Sequence, residues 1–175
     1  MKAELENAKK YIFMEYFIIE EGVMWNSILS ILEEKAKQGV EVRVMYDDMG
    51  SLNTLPASYV KVLQKKGIKA VSFNRISPII NIIMNHRDHR KILVIDGKVA
   101  FSGGANLADE YINKKIVHGH WMDNIICVKG NAVWSYIVTF LTNWNALCHE
   151  DEDYTVFKNT ETIDESNCDG YITPY

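Results

Sequence analysis

An imidazole, an ammonium group, a carboxylate and an amide lie close together in one stretch of this 175-residue chain. The stretch follows the pattern H-x-K-x4-D-x6-G-G-x-N. The four groups belong to His89, Lys91, Asp96 and Asn106, and the glycine pair is Gly103–Gly104. An imidazole can attack phosphorus, an ammonium group and an amide can hold phosphate oxygens, and glycines let the backbone approach closely. The pattern therefore predicts phosphoryl-transfer chemistry, with the histidine, lysine and aspartate as catalytic groups and the glycines and asparagine as phosphate ligands.

The elements around these residues explain how they could meet. Ile92–Ile95 is a continuous aliphatic run typical of a strand buried on both faces. His89 and Lys91 are two residues apart, so in an extended chain they project to the same side. Asp96–Gly97 is a strong hairpin turn signal, which predicts a returning strand over 98–101.

That returning strand would deliver Ser102 and the glycine pair beside the start of the first strand and bring Asn106 towards His89 and Lys91. The plainer alternative is a pair of surface residues at a strand end beside an ordinary turn. A lone histidine would favour that alternative. Six matching positions favour a site.

The rest of the chain predicts an α/β fold with a mixed, largely parallel β-sheet flanked by helices on both faces. Aromatic, aliphatic or alternating runs indicate strands, and amphipathic runs that end near glycine indicate helices. The expected strands lie at 10–19, 40–46, 69–73 and 122–128, and the expected helices at 24–38, 58–66 and 132–147.

Length and composition predict one domain over 1–148, followed by an acidic, polar linker or tail over 149–175. The net charge of −4 disfavours a nucleic-acid partner. No apolar run is long enough to span a bilayer, and three widely spaced cysteines indicate neither a disulfide framework nor a zinc site. We expect no metal and no cofactor.

The central stretch resembles the HKD signature of the phospholipase D superfamily. The flanking residues 85–91, the Gly-Gly-x-Asn-x-x-Asp-Glu-Tyr continuation through Tyr111, and residues 120–123 are similar to the first catalytic half of a bacterial cardiolipin synthase. Segments 13–20 and 39–51 share that resemblance, which covers nearly the whole chain but only one of two catalytic halves. The chain is therefore interpreted as the first half of a larger membrane enzyme.

The resemblance implies a phospholipase D-like sandwich that condenses two phosphatidylglycerol molecules into cardiolipin and glycerol through a phosphohistidine. It implies a site completed by a second HKD half-domain, from the same protein or a symmetric copy. In the full-length protein the catalytic domain would lie at the cytoplasmic side of the cell membrane, whereas this fragment would be soluble and weakly active or inactive. Asp96 would orient an imidazole, either that of His89 or that of the opposing half.

Four further residues are candidates for supporting roles. Glu15 interrupts an apolar run, so it either faces the cleft or forms a structural ion pair. Ser102 precedes the glycines, and Trp121 and Asp123 are expected to close the cleft wall. The apolar segment 79–84 either contacts lipid or packs beneath the hairpin.

Two other functions fit the same residues. A homodimeric HKD phosphodiesterase or nuclease would use them on DNA, although the acidic composition lacks the basic face expected of such an enzyme. A non-catalytic lipid-headgroup module would use Lys91 and Asn106 as a phosphate clamp.

Overall fold

The fold is built on a mixed β-sheet with helices on both faces. The computed structural model describes residues 1–74, 87–161 and 170–174. Within those ranges six strands hydrogen-bond in the order β3-β2-β1-β4-β5-β6. The strands are β1 (Tyr11–Tyr16), β2 (Glu41–Asp47), β3 (Lys69–Phe73), β4 (Ile92–Ile95), β5 (Val99–Gly103) and β6 (Ile125–Lys129), and the α-helices are α1 (Lys2–Glu6), α2 (Val23–Lys37), α3 (Tyr59–Lys65) and α4 (Val133–Cys148).

The sheet divides at β1 into a parallel and an antiparallel part. β1 pairs with β2 and β2 with β3 in parallel, while the β1–β4, β4–β5 and β5–β6 pairs are antiparallel. The expected mixed α/β sheet is confirmed, but its antiparallel share is larger than the sequence indicated. The reason is that β4, β5 and β6 follow one another as a meander, without crossover helices between them.

The two faces of the sheet bury separate cores. On one face α2 and α3 pack their apolar sides against the strands, with the fully buried Trp25 donating from Nε1 to the hydroxyl of Tyr59 at 2.6 Å. On the other face α4 packs Ile137, Phe140 and Trp144 against Phe13 and its neighbours. Every residue of β1 is buried, because this strand is covered on both faces.

The β4–β5 hairpin forms as its turn residues predict. Asp96 and Gly97 have φ angles of +52° and +68°, and the amide of Lys98 donates to the carbonyl of Ile95 at 3.0 Å. Two successive left-handed residues match the right-handed twist of the paired strands. The hairpin thereby places the start of β4 and the end of β5 side by side, with Ile92 opposite Ser102.

Part of the acidic segment after α4 packs back onto the domain. Arg43 is 3% exposed and lies between the rings of Phe13, Trp144 and Phe157, at 5.1 to 5.3 Å from their centroids. Its guanidinium forms two hydrogen bonds with the carboxylate of Glu152. This forked ion pair in an aromatic surround anchors the segment, as planar guanidinium groups favour.

No helix in the described ranges is long and apolar enough to cross a bilayer. The apolar segment 79–84, expected either to touch lipid or to pack beneath the hairpin, lies outside the described residues.

The Arg43–Glu152 pair leads to a stability prediction. Glu152→Gln keeps the size of the side chain but removes one of the two carboxylates, Glu41 being the other, that pair with a buried guanidinium, so the free energy of unfolding should fall by about 1–3 kcal/mol in urea titration. Glu161→Gln is the control, because Glu161 pairs with Lys98 at the surface and should change stability by less than about 0.5 kcal/mol. Equal effects of the two substitutions would contradict the anchoring role.

Candidate active site

The strand ends of the β4–β5 hairpin open onto a cleft of about 740 Å³. His89, Lys91, Ser102 and Gly103 line it, so the structure brings together four of the residues singled out in the sequence. Further lining side chains come from the approach to β4, from α4 and from the end of the chain, and include Arg87, Asp88, Arg90, Tyr136, Asn143 and Ile172.

The imidazole of His89 and the ammonium group of Lys91 meet at one aromatic ring. The centroids of the His89 and Phe17 rings are 4.7 Å apart with a tilt of 52°, and Lys91 Nζ is 5.3 Å from the Phe17 centroid. Lys91 Nζ also donates to the backbone carbonyl of His89 at 2.5 Å. The alternation expected for an extended segment thus puts both groups on one side of the chain.

Burial changes the acidity of Lys91. The residue is 4% exposed, and this loss of hydration lowers the pKa of its ammonium group to about 8, although the nearby carboxylates of Asp88 and Asp123 oppose the shift. Its ammonium group donates to a backbone carbonyl rather than to a carboxylate. Near neutral pH the ammonium group of Lys91 is therefore charged but poorly hydrated, so it would attract an anion in the cleft more strongly than a hydrated lysine would.

The side chain of His89 is exposed, and its pKa is lowered, whereas a salt bridge would raise the pKa of a histidine. Partial burial, followed by the charge of Lys91, lowers the pKa of its imidazole below the ordinary value, against the smaller influence of Asp88 and Asp47. The neutral imidazole is consequently the main form at pH 7. A neutral ring nitrogen is the form that can act as a nucleophile or accept a proton.

A buried polar network lies under the segment that carries His89. Arg90 Nε donates to Asp88 Oδ1 at 2.9 Å and lies 3.1 Å from Glu15 Oε1, and Asn143 Nδ2 donates to both carboxyl groups at 3.1 Å. Burial and the neighbouring Asp88 raise the pKa of Glu15 well above its usual range, whereas hydrogen bonds from Glu15 and Arg90 lower the pKa of Asp88. Of the two roles expected for Glu15, the structure favours the structural ion pair.

Asp47, at the end of β2, holds the same segment from the other side. Its carboxylate accepts from the amides of Met49 and Gly50 at 2.9 Å, which caps the loop after the strand. The second oxygen accepts from the amide of Asp88 at 3.2 Å. Asp47 therefore links the β2 loop to the residue before His89.

Asn106 is placed behind the cleft rather than on its lining. Its Oδ1 accepts from the amide of Ile18 at 3.0 Å, and its Nδ2 donates to the hydroxyl of Tyr111 at 2.7 Å. Tyr111 packs edge-on against Trp121, with ring centroids 4.7 Å apart, and the indole of Trp121 donates to Asp123 at 3.3 Å. Asn106, Trp121 and Asp123 therefore belong to one continuous wall beside the site.

The two glycines allow that wall to approach β5. A Cβ at Gly103 would lie 2.1 Å from the carbonyl oxygen of Asn124, and one at Gly104 would lie 2.2 Å from Asp123 Oδ1. The amide of Gly104 donates to the carbonyl of Asn124 at 3.1 Å. Close backbone packing thus accounts for both glycines, and Gly103 in addition lines the cleft.

Asp96 lies at the opposite end of β4 from His89, so the expectation that it orients the imidazole of His89 is wrong. Seven residues of extended chain separate the two, roughly 20 Å. The Asp96 carboxylate accepts from the amides of Lys9, Lys10 and Tyr11 at 2.7, 2.7 and 2.9 Å. These contacts tie the hairpin turn to the start of β1, and the aspartate is a structural residue.

Sequence reasoning missed the residues that support the motif. Phe17, Asp88, Arg90 and Asn143 were given no role, yet each contacts a neighbour of His89 or the histidine itself. Asp88 and Arg90 could have been found from the sequence, because they are charged residues directly beside His89. Asn143 is on a helix more than fifty residues away, and nothing in its local sequence points to the site.

In the described ranges, no group of three or more histidine, cysteine, aspartate or glutamate side chains is arranged to hold a metal ion.

Comparison with known proteins agrees with this architecture. Residues 1–141 match the family described as the cardiolipin synthase, phospholipase D-like domain. The chain is 50% identical over 175 residues to a protein of Streptococcus mutans and 39% identical over 148 residues to cardiolipin synthase 2 of Staphylococcus epidermidis. These alignments cover 100% and 85% of this chain, but only 38% and 30% of the relatives.

The fold is shared with a solved structure, the phospholipase D family member Nuc from Salmonella typhimurium. The TM-score is 0.58 at 20% sequence identity, over 82% of this chain and 83% of that one.

The position of Asp96 predicts a stability defect without a change at the histidine. Asp96→Asn retains a residue that tolerates positive φ, but one side-chain oxygen becomes an N–H donor facing a backbone donor, so stability should fall by about 1–3 kcal/mol. The pKa of His89, followed by NMR of its ring protons, should not move. A shift of that pKa would show that Asp96 acts on the imidazole.

The low pKa of Lys91 predicts anion binding that weakens in mild alkali. Sulfate keeps its charge over this range, and the pKa of His89 lies below it, so the affinity for sulfate should fall as pH rises through about 8. NMR titration between pH 6.5 and 9.5 measures this fall. Lys91→Met should bind at least about tenfold more weakly and show no fall near pH 8, while Lys98→Met, on the hairpin surface, should behave as the parent chain.

Proposed function

The chain belongs to the phospholipase D-like domain family of cardiolipin synthases, and from that premise we propose that it forms the first catalytic half of a phosphatidyltransferase. The observation that carries the proposal is the shared cleft face of His89 and Lys91, a neutral nucleophile beside a poorly hydrated cation. The chain spans less than two fifths of the length of the relatives it matches, so a substantial part of those proteins lies outside this sequence.

The proposed reaction has two displacements at phosphorus. A ring nitrogen of His89 attacks the phosphorus of phosphatidylglycerol, forming an N–P bond while the P–O bond to glycerol breaks. A second histidine protonates the departing glycerol oxygen. A hydroxyl of another phosphatidylglycerol then gives its proton to that second histidine and attacks the phosphohistidine, which yields cardiolipin and restores His89.

Lys91 contributes by stabilising charge on the non-bridging oxygens. An ammonium group already stripped of most of its hydration interacts more strongly with a developing negative charge than a hydrated one does. In this proposal Asn106 acts indirectly, because its hydrogen bonds to Ile18 and Tyr111 hold the wall beside the site. Gly103 contributes as part of the cleft lining.

A second HKD half supplies the other histidine, because one imidazole cannot act on opposite sides of phosphorus in the same step. The outer edge of the sheet offers a surface for that half. Ile125 and Ile126 of β6 are 46% and 48% exposed and Met122, just before it, is 88% exposed, while Ile126 also lines the cleft. A partner on this edge would bury the apolar side chains and close the site together.

The phospholipid substrate places the complete enzyme at a membrane surface, and we propose the cytoplasmic side of the cell membrane. The alternatives of a homodimeric nuclease and a headgroup-binding module gain no specific support from the geometry. The net charge of −4 does not favour a polyanionic strand.

The proposal predicts a covalent intermediate on His89 in the full two-motif protein. With phosphatidylglycerol labelled in its phosphate, rapid acid-free denaturation and peptide mapping should recover an acid-labile phosphorylated peptide containing His89. His89→Ala should lower cardiolipin formation by at least about 10³-fold. His149→Asn is the matched control, since His149 ends α4 with a left-handed φ of +55° that asparagine tolerates.

The outcomes separate the competing roles. Label only on the other half would assign His89 as the general acid. Full activity of His89→Ala would leave this half as a binding module, and hydrolysis of DNA with no transfer between lipids would favour the nuclease.

A further inference from the structure

The ring of Phe17 lies directly beyond the end of β1, where the chain leaves the sheet beside the cleft. Two chemically different groups contact it: the His89 imidazole at 4.7 Å between centroids and the Lys91 ammonium at 5.3 Å from its centroid. Phe17 is only half-buried, so it is not a simple member of either core.

The backbone around Phe17 is fixed from two sides. On one side the amide of Ile19 donates to Ser51 Oγ at 3.1 Å, and Ser51 Oγ donates weakly to the carbonyl of Phe17 at 3.4 Å. On the other side the amide of Ile18 donates to Asn106, and the amide of Leu107 donates to the carbonyl of Ile18 at 3.1 Å. These hydrogen bonds fix the backbone of the segment that carries the ring.

Gly50 controls the position of the ring itself. A Cβ at Gly50 would lie 2.3 Å from the carbonyl oxygen of Phe17 and 2.9 Å from two of its ring carbons. The loop that brings Gly50 there is capped by Asp47, which also binds the amide of Asp88. The loop after β2 therefore positions the ring and the histidine segment relative to each other.

We propose that Phe17 is a positioning residue for phosphoryl transfer, whose aromatic face holds the imidazole of His89 and the ammonium group of Lys91 at a fixed separation. The inference rests on the proposed roles of those two residues. The negative face of the ring attracts the ammonium group and stabilises its charged form. Its flat surface limits the rotamers of the imidazole, which keeps the attacking nitrogen aimed into the cleft.

Phe17→Leu tests this directly, because leucine keeps apolar bulk but removes the aromatic face. In the 175-residue chain, the sulfate-binding midpoint should move about half a pH unit down from its value near 8, since a cation–π contact of this kind corresponds to that shift. The ring signals of His89 should broaden or move as its rotamers mix. In the full two-motif protein kcat should fall about tenfold with little change in KM.

Phe17→Tyr should restore the midpoint and kcat, because it restores the aromatic face. Gly50→Ala keeps Phe17 but displaces its ring, so it should shift the midpoint in the same direction as Phe17→Leu. Phe157→Leu is the control: it removes a buried ring packed on Tyr11 and Phe13, away from the cleft, and should lower thermal stability without moving the midpoint.

Loss of stability in Phe17→Leu with an unmoved midpoint, unchanged His89 signals and unchanged kcat would reduce Phe17 to a packing residue and overturn the inference. A parent chain that binds no sulfate would instead count against Lys91 as an oxyanion ligand. The His89 ring signals would still test Phe17 in that case, so the two failures are distinguishable.

Discussion

The antiparallel pairing of β1 with β4 is the constraint on which the site depends. Its register sets Glu15 opposite Ile92, and because β1 ends at Tyr16, Phe17 leaves the sheet beside the segment that precedes β4. There its ring contacts both the imidazole of His89 and the ammonium group of Lys91. A slip of one residue would send the side chains of His89 and Lys91 to the other face of the strand.

The charged groups near the cleft lie on two sides of the segment that carries His89. On the α4 side of the segment, Arg90 and Asn143 contact the carboxyl groups of Glu15 and Asp88, and burial together with the neighbouring Asp88 raises the pKa of Glu15. On the other side, the ammonium group of Lys91 donates to the backbone carbonyl of His89. The polar network therefore fixes the backbone of the segment, and the ammonium group of Lys91 can interact with an anion in the cleft.

The sequence determined the local elements with little ambiguity. The hairpin turn followed from Asp96–Gly97, because few residue pairs accept two positive φ angles, and the buried strand followed from the unbroken run Ile92–Ile95. The pairing of His89 with Lys91 followed from the two-residue period of an extended chain. The helices α2 and α4 fell within one or two residues of their predicted bounds for the same periodic reason.

What the sequence could not decide was which distant groups meet. The carboxylate of Asp96 matches the motif spacing, yet three amides at the start of β1 occupy it at the far end of the strand. Phe17 and Asn143 become site residues only because β1 and α4 pack against the hairpin. Periodicity fixes the face on which a side chain lies, but its partner is set by strand order and register, and these depend on contacts between residues far apart in the chain. The chemical groups and their local directions were therefore encoded in the sequence, and their assembly into one site was decided by the tertiary fold.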